Sequence, residues 1–293
     1  MRVRRALHFV PGGRERFLRK ALQLPADSLI LDLEDAVAPA QKEDARGAVC
    51  SWLTEVNFGT QERIVRINPL DTPWGARDLE ETFAAGPDAY LVPKVRSVRD
   101  VEELDARLGE LEREVDQPPI PLLVLATETP EGLLAIADLA RAPRVDALTW
   151  GPEDLAAALG APRNRDGEGR YLDVFRYARS MTLIAAAAAR IAAIDTVYVD
   201  LGDPEGLRRE AREAAWMGFS GKLTLHPDQV RIVNEVFTPS PEEIAQSREL
   251  LERFEEHRRK GEGAFLFRGQ MVDVPHLERA RTVLARARQA GVE

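Results

Sequence analysis

Two acidic residues each follow an apolar run of the sequence and could bind one metal ion together. Glu128 lies two residues beyond one run, and Asp154 lies four residues beyond the next. If the runs are neighbouring parallel strands, the two carboxylates meet at one edge of the sheet. Mg²⁺ takes few carboxylates and keeps octahedral positions for water and substrate oxygens. The alternative to metal binding is that these acids lie in the first turns of helices, where a negative charge complements the helix dipole. That explanation is sufficient for the neighbouring acids Glu131 and Glu153.

An arginine within a third apolar run could bind a substrate carboxylate. Arg66 lies in Ile64-Val-Arg-Ile-Asn-Pro69, so its guanidinium should leave the sheet at the end of the strand. A planar, bidentate donor suits an α-keto or α-hydroxy acid. A structural role would instead pair Arg66 with Asp32 or Glu34.

The segment from residue 31 to 39 holds three carboxylates, those of Asp32, Glu34 and Asp35. Acids this close repel one another unless a cation, an arginine or bound water spreads the charge. The outer shell of a metal site would do so. Helix capping and solvation are the alternative, more readily for Asp35 than for Glu34.

Other residues allow rival chemistry. Lys94 follows a fourth run and could be the Schiff-base nucleophile of a metal-free aldolase. Against this, neighbouring acids would keep its ammonium charged. His226 could be a general base or a hydrogen-bonded strand end. Near the N-terminus, Arg14 and Lys20 lie where a Pro-Gly-Gly loop enters a helix, and such a loop can bind phosphate. The alternative is an ordinary solvated helix, on which the same spacing of basic residues also occurs.

The elements that must position these residues alternate between short apolar runs and helical patterns. Continuous apolar runs are typical of parallel strands covered on both faces. Polar residues follow nearly every run, which favours an α/β TIM (β/α)8 barrel over an open doubly wound sheet. The predicted strands are residues 6–10, 28–33, 63–67, 89–93, 122–126, 147–150, 196–199 and 222–225.

A further segment follows the predicted barrel. Ser240-Pro-Glu-Glu243 forms a capping box that opens a helix over residues 241–260, and a second helix begins at Pro275. A barrel does not need these residues in order to close. We therefore predict a catalytic barrel over residues 1–238 and a C-terminal helical extension over residues 239–293, which acts as a lid or an inter-subunit arm.

Composition narrows the classes of function. The chain has 293 residues and a net charge of -9, which argues against nucleic acid as a bulk partner. Two stretches that resemble membrane signals are interrupted, one by Pro-Gly-Gly and one by Arg190 and Asp195, so no membrane partner is expected. With no export signal and a single cysteine, Cys50, the expected location is cytoplasmic.

Taken together, seven motifs resemble the citrate lyase beta-subunit-like family of the HpcH/HpaI aldolase superfamily. They are Phe9-Val-Pro-Gly12, Leu31-Asp-Leu-Glu-Asp-Ala-Val37, Val65-Arg-Ile-Asn68, Val92-Pro-Lys94, Glu128-Thr-x-x-Gly132, Gly151-x-Glu-Asp-Leu155 and Gly221-Lys-x-x-x-His-Pro227. The resemblance covers essentially the whole chain in order. The ending Gly263-Ala-Phe-Leu-Phe-Arg-Gly-Gln-Met-Val-Asp273 is similar to stand-alone lyases of citramalyl-CoA and malyl-CoA.

The resemblance implies a homotrimeric TIM barrel that cleaves or forms 3-hydroxyacyl-CoA thioesters with Mg²⁺, or with Mn²⁺ as the alternative metal. Glu128 and Asp154 would hold the metal, and Arg66 would grip the carboxylate of the keto acid. The acids Asp32, Glu34 and Asp35 would order water. Asp273 would reach a neighbouring subunit's site as the acid/base group, and Arg14 and Lys20 would face the phosphates of coenzyme A.

Two departures from the family pattern matter. Pro130 replaces a small residue and should stiffen the metal loop, and Arg268 replaces an aspartate, which tilts the prediction away from a strict malyl-CoA lyase. The expected products are acetyl-CoA and pyruvate or glyoxylate. The alternatives are a citrate lyase beta subunit acting on a citryl thioester of an acyl carrier protein, and a non-catalytic scaffold subunit.

Overall fold

The computed structural model describes residues 2–259 and 261–293. Contacts between Cα atoms divide these residues into two compact units. One unit holds residues 4–234, and the other holds residues 235–293 with residues 2–3. The boundary expected after residue 238 lies close to this division and remains a prediction.

In the part of the chain that the structure describes, eight parallel strands close into a barrel in chain order. The prediction of a TIM barrel is therefore confirmed. The barrel closes where His8 lies between Leu29 of the second strand and Thr224 of the last. The strands are β1 (Ala6–Pro11), β2 (Ser28–Asp32), β3 (Glu62–Arg66), β4 (Ala89–Val92), β5 (Leu122–Leu125), β6 (Val145–Thr149), β7 (Ala192–Asp195) and β8 (Gly221–Thr224).

Alternate residues of the strands form one apolar cluster in the barrel. Leu7, Ile30, Ile64 and Ile194 are fully buried in this cluster, since a parallel barrel is covered on both faces. Phe9 packs on the cluster but is only partly buried. It lies near the carboxyl end of β1, at the same end of the barrel as the polar residues that follow the other strands.

The predicted seventh strand is wrong. Residues 196–199 follow the strand, which is instead Ala192–Asp195. Thr196, Val197 and Val199 have the β-branched side chains typical of strands, whereas the true strand begins with two alanines directly after an alanine-rich helix. The polar residue at the end of β7 is therefore Asp195, and Asp200 lies in the loop beyond it.

Helices fill the connections between the strands. The short helix after β5 is capped by Thr129, whose hydroxyl accepts the N–H of Gly132 at 3.0 Å. In chain order the helices of the barrel unit are α1 (Glu15–Ala21), a 3₁₀ turn (Pro39–Gln41), α2 (Lys42–Glu55), α3 (Gly75–Ala84), α4 (Val98–Val115), α5 (Pro130–Leu134), α6 (Ile136–Leu139), α7 (Pro152–Leu159), α8 (Asp173–Ala189) and α9 (Pro204–Met217), and α10 (Pro227–Phe237) leads into the second unit.

The second unit consists of two helices and a hairpin. Its elements are α11 (Pro241–Arg259), β9 (Phe265–Phe267), β10 (Gln270–Val272) and α12 (Val274–Gln289). Phe254, Phe265, Val272 and Leu277 form its apolar core. The helix expected over residues 241–260 is present as far as Arg259, and Lys260 lies outside the described residues. Over the described residues, no helix is both long and apolar enough to cross a bilayer.

Candidate functional site

A cavity of about 330 Å³ opens at the carboxyl ends of the barrel strands. Functional groups at this end of many different strands are typical of TIM-barrel active sites. Its lining includes Asp32, Arg66, Glu128 and Asp154, which come from four different strands or the loops that follow them. The structure therefore brings these four predicted site residues together in one cavity.

Glu128 is buried in the loop after β5. The backbone N–H of Lys94 donates to its Oε2 at 2.7 Å. A Cβ atom on Gly151 would lie 2.6 Å from Cγ of Glu128, so the absence of a side chain at position 151 leaves room for Glu128. Burial and the nearby charge of Asp154 raise the pKa of Glu128 to about 8. The site thus contains a carboxylate whose charged form needs a further cation.

Asp154 lies in the first turn of α7. Gly151 is the N-cap of this helix and Pro152 fills its first position, as is common for helix starts. Oδ1 of Asp154 is 3.4 Å from Nζ of Lys94. The first-turn position that favours an acid on dipole grounds is therefore also the position that brings Asp154 to the cavity.

Lys94 connects the acidic residues. Its ammonium contacts Glu34 and lies 3.1 Å from Oδ2 of Asp35 and 3.4 Å from Asp154. Burial opposes its charge, but Glu34 and the other acids outweigh burial and raise the pKa of Lys94. A Schiff-base nucleophile must be a neutral amine. The environment of Lys94 thus favours the charged ammonium, which weakens the metal-free aldolase hypothesis.

Arg66 forms the structural pairs that were the alternative to substrate binding. Its Nε and Nη2 donate to the two oxygens of Asp32 at 2.7 and 2.6 Å, and Nη1 is 2.9 Å from Oε2 of Glu34. The guanidinium also covers the ring of Phe9, 4.8 Å from its centroid. A guanidinium carries five N–H donors. These contacts fix its plane and leave donors for a ligand.

The charges of the site fit a divalent cation. Its five carboxylates are those of Asp32, Glu34, Asp35, Glu128 and Asp154. Arg66 and Lys94 form ion pairs with the four aspartates and glutamates other than Glu128, which accepts the backbone N–H of Lys94. Excess carboxylate charge in a buried place is costly unless a cation or a proton offsets it. No group of three or more His, Cys, Asp or Glu side chains among the described residues is arranged to hold a metal. Glu128 and Asp154 would be the two protein ligands, and two carboxylates are typical of Mg²⁺ sites.

The side of the cavity formed by β1, β7 and β8 is mainly apolar. Phe9, Val197 and Leu223 line it, and Leu125 from β5 also faces it. His8 lies here too, with Nδ1 3.1 Å from the hydroxyl of Thr224. The cavity therefore has a charged half and an apolar half, which suits a ligand with a carboxylate at one end and carbon chain at the other.

His226 and the basic residues lie at the rim. His226 lines the cavity but is exposed, and its ring is 3.5 Å from Asp228. Lys20 also lines the cavity, whereas Arg14 is exposed at the N-cap of α1. Of the two residues expected to face phosphates, Lys20 is thus the one placed at the opening.

Asp273 belongs to the second unit. It is the exposed N-cap of α12, and its carboxylate accepts the backbone N–H of His276. The ring Nδ1 of His276 is 2.7 Å from Oδ1 of Asp273. Its expected role in a neighbouring subunit's site stays a prediction.

Sequence reasoning missed Lys42, which fixes the acidic loop. Its ammonium donates to the carbonyl oxygens of Leu33 and Glu34 at 2.8 Å and to Oδ1 of Asn68 at 2.7 Å. Burial lowers the pKa of Lys42. The only signal for it was the helix start close behind the acids, because the contacts themselves depend on the fold.

Comparisons with known proteins show which proteins this chain is similar to. The family model described as HpcH/HpaI aldolase/citrate lyase matches residues 5–227. The mitochondrial citramalyl-CoA lyase of Mus musculus is 38% identical over 97% of this chain and 86% of its own length. The (3S)-malyl-CoA thioesterase of Cereibacter sphaeroides (strain ATCC 17029) is 38% identical over 97% of this chain and 94% of its own length.

A solved structure is similar over nearly the whole chain. The protein CitE from Mycobacterium tuberculosis, in complex with magnesium, acetoacetate and coenzyme A, is 38% identical, with a TM-score of 0.82. The match covers 97% of this chain and 98% of that one. The similarity thus extends from the barrel through the C-terminal segment.

Proposed function

This chain belongs to the HpcH/HpaI aldolase/citrate lyase family, and we propose that it is a Mg²⁺-dependent carbon–carbon lyase of CoA thioesters. It would cleave or form a 3-hydroxyacyl-CoA such as citramalyl-CoA or malyl-CoA. The products of cleavage would be acetyl-CoA and pyruvate or glyoxylate. The observation that carries this proposal is the pair Glu128 and Asp154 beside Arg66 in one cavity.

In this proposal Glu128 and Asp154 hold Mg²⁺, and Mn²⁺ can take its place. When bound, the metal supplies Lewis acidity and a template for the oxygens of the substrate. The buried carboxylate of Glu128, with its raised pKa, supports this role, because a divalent ion would replace the proton that it otherwise favours.

Arg66 would bind the carboxylate of the keto acid. Asp32 and Glu34 hold its guanidinium in one plane, and Phe9 covers one face. A fixed planar donor can form the bidentate bond that a carboxylate accepts. The carbon chain of the substrate would then lie against the apolar half of the cavity.

Cleavage needs one group that takes a proton and one that returns it. The base removes the hydroxyl proton, the hydroxyl carbon becomes a ketone, and the electron pair of the broken bond passes to the α-carbon of the acetyl thioester. Protonation of that carbon gives acetyl-CoA. We assign the acid/base role to Asp273 of a neighbouring subunit, and we assign the ordering of water near the metal to Glu34 and Asp35.

The remaining assignments concern the ligand and the assembly. Lys20 and Arg14 would face the phosphates of coenzyme A, the enzyme would be a homotrimer, and it would work in the cytoplasm. The second candidate is a citrate lyase beta subunit that acts on a citryl thioester of an acyl carrier protein. The family description supports it, since it includes citrate lyases.

The first experiment measures cleavage of citramalyl-CoA and malyl-CoA with Mg²⁺ or with EDTA. We expect EDTA-sensitive release of acetyl-CoA together with pyruvate or glyoxylate. Glu128→Gln and Asp154→Asn should abolish turnover while the protein stays folded. Glu131→Gln is the control, because this exposed acid lies only three residues from Glu128. If neither CoA thioester is cleaved, a citryl thioester on an acyl carrier protein is the substrate to test, and its cleavage would replace the first proposal.

A further inference from the structure

A closed ring of six side chains links the segment between β6 and α7 to the loop between α7 and α8. The ring joins strands β6, β7 and β8, helix α9 and residues 161–172. Its members, in order of contact, are Trp150, Asp195, Lys222, Glu210, Arg165 and Tyr171.

Hydrogen bonds and ion pairs form one half of the ring. The indole N–H of Trp150 donates to Oδ1 of Asp195 at 2.8 Å. Lys222, which is fully buried, contacts Asp195 at 2.8 Å and Glu210 at 2.9 Å. Burial would raise the pKa of Asp195, but Lys222 and Arg179 lower it to about 2, so this carboxylate stays charged.

Aromatic contacts close the ring through the loop. Nη2 of Arg165 is 2.8 Å from Oε2 of Glu210, and its guanidinium stacks 3.6 Å from the ring centroid of Tyr171. Tyr171 packs edge-on against Trp150, with 5.0 Å between centroids. Arg165 therefore contacts both Glu210 on α9 and the ring of Tyr171.

The ring and the neighbouring residue Asn164 adjoin the helix start that carries the proposed metal ligand Asp154. Trp150 directly precedes Gly151, the N-cap of the helix whose first turn holds Asp154. Asn164, next to Arg165, donates to Oε1 of Glu153 at 2.8 Å. The loop 161–172 thus contacts Trp150, four residues before Asp154, and Glu153, the residue directly before it.

We propose that Arg165 is a positioning residue that holds this loop against Trp150 and Glu153, and that it thereby fixes the place of Asp154 for metal binding. The inference rests on the proposed function, because it requires Asp154 to bind the metal. Removing a contact that supports a metal ligand typically lowers metal affinity by about 10- to 100-fold. If the ring served only stability, disrupting it would lower the free energy of unfolding without changing that affinity.

The test measures Mn²⁺ binding by electron paramagnetic resonance, without substrate, alongside thermal unfolding. Arg165→Met should weaken Mn²⁺ binding about tenfold or more. Arg165→Lys keeps the ion pair with Glu210 but loses the flat contact with Tyr171, so its affinity should lie between those of the wild type and Arg165→Met. Asn164→Ala removes only the bond to Glu153 and should also weaken binding, which provides a test even if Arg165→Met does not fold.

The matched control is Arg63→Met. Arg63 is also a partly exposed arginine in an ion pair, 3.0 Å from Asp88, but it lies at the start of β3, at the opposite end of the barrel. It should lose stability and keep its Mn²⁺ affinity. Unchanged affinity in a folded Arg165→Met, or in Asn164→Ala if Arg165→Met does not fold, would overturn the inference.

Asp154→Asn separates the two proposals. If this variant loses Mn²⁺ binding while the Arg165 and Asn164 variants keep it, the metal site stands and the positioning role is overturned. If Asp154→Asn binds Mn²⁺ like the wild type, the metal site itself is overturned, and the inference falls with it.

Discussion

The backbone N–H of Lys94 donates to Oε2 of Glu128 over 2.7 Å, while the ammonium of the same residue lies 3.4 Å from Asp154. One residue thus contacts both proposed metal ligands. Its backbone is left-handed, with φ at 53°, a conformation that costs a non-glycine residue about 1 kcal/mol or more. In that conformation the backbone N–H donates to Glu128, while the side chain supplies a positive charge next to the proposed metal site.

Replacing the lysine should therefore strengthen metal binding. Lys94→Asn removes a positive charge a few ångströms from the site, and asparagine tolerates the left-handed backbone. Because a nearby like charge repels a cation even at a high effective dielectric constant, we expect Mn²⁺ to bind about tenfold more tightly or better. Isothermal titration calorimetry measures this, and Lys94→Arg, which keeps the charge, should bind like the wild type. Weaker binding by Lys94→Asn would mean that the ammonium helps to build the site instead.

Gly151 should be intolerant of a side chain. In Gly151→Ala the new Cβ would meet Cγ of Glu128 at 2.6 Å and its Oε1 at 3.1 Å, so the carboxylate must move. We expect Mg²⁺ affinity to fall about 10- to 100-fold and turnover to fall with it. Gly47→Ala is the control, because no atom lies within 4 Å of its added Cβ and it sits inside helix α2. It should keep full activity and gain up to about 1 kcal/mol in the free energy of unfolding. Equal Mg²⁺ affinity in the two variants would contradict the steric argument.

Sequence patterns predicted the strands well where they were apolar and β-branched. Seven of the eight predicted runs overlap the strands of the barrel, with ends that differ by at most two residues. The seventh failed because Ala192 and Ala193 have little strand propensity, while Thr196 and Val197 just beyond them have more. In this strand the position in the barrel, not local propensity, decides the conformation.

The site was predictable to the extent that its residues follow strands. Glu128 and Arg66 lie near strand ends, so the barrel alone brings them together. Lys42 and Arg165 were not predictable in this way, since they lie in a helix and a loop and make contacts across the fold. No local pattern distinguishes such a buried cation from one on a solvated surface.

The pH dependence of stability should contain a contribution from His8. Burial and the neighbouring His226 lower the pKa of His8 to about 4, whereas an unfolded histidine titrates near 6.5. Between these values the unfolded chain binds the extra proton, so the stability is complete above pH 6.5 and is lost as the pH falls towards 4. At pH 5 the loss from this group is about 2 kcal/mol relative to pH 7.

Urea unfolding of the wild type and His8→Asn at pH 7 and pH 5 measures this contribution. Both proteins share the titration of the other acidic and basic groups, so the comparison isolates His8. The variant should lose about 2 kcal/mol less than the wild type over this interval. The same loss in both proteins would show that His8 does not titrate as its buried environment implies.

Asp273 can be tested without disturbing the helix that it caps. Asparagine is as good an N-cap as aspartate, so Asp273→Asn should leave α12 and the free energy of unfolding nearly unchanged. An amide cannot take or return a proton as a carboxylate does. Turnover should therefore fall about 100-fold or more, while Mn²⁺ affinity stays at the wild-type value. Full turnover by the variant would restrict Asp273 to its role as a helix cap.

Mixed oligomers then decide which subunit supplies the group. Asp273→Asn and Glu128→Gln are each expected to be inactive alone. If Asp273 serves a neighbouring site in a cyclic trimer, a mixed trimer contains one site with an intact Glu128 from one subunit and an intact Asp273 from the next. Each mixed trimer should recover about one third of the wild-type turnover. If both residues serve their own subunit's site, every site in the mixture lacks one of them, and mixing the two proteins restores nothing.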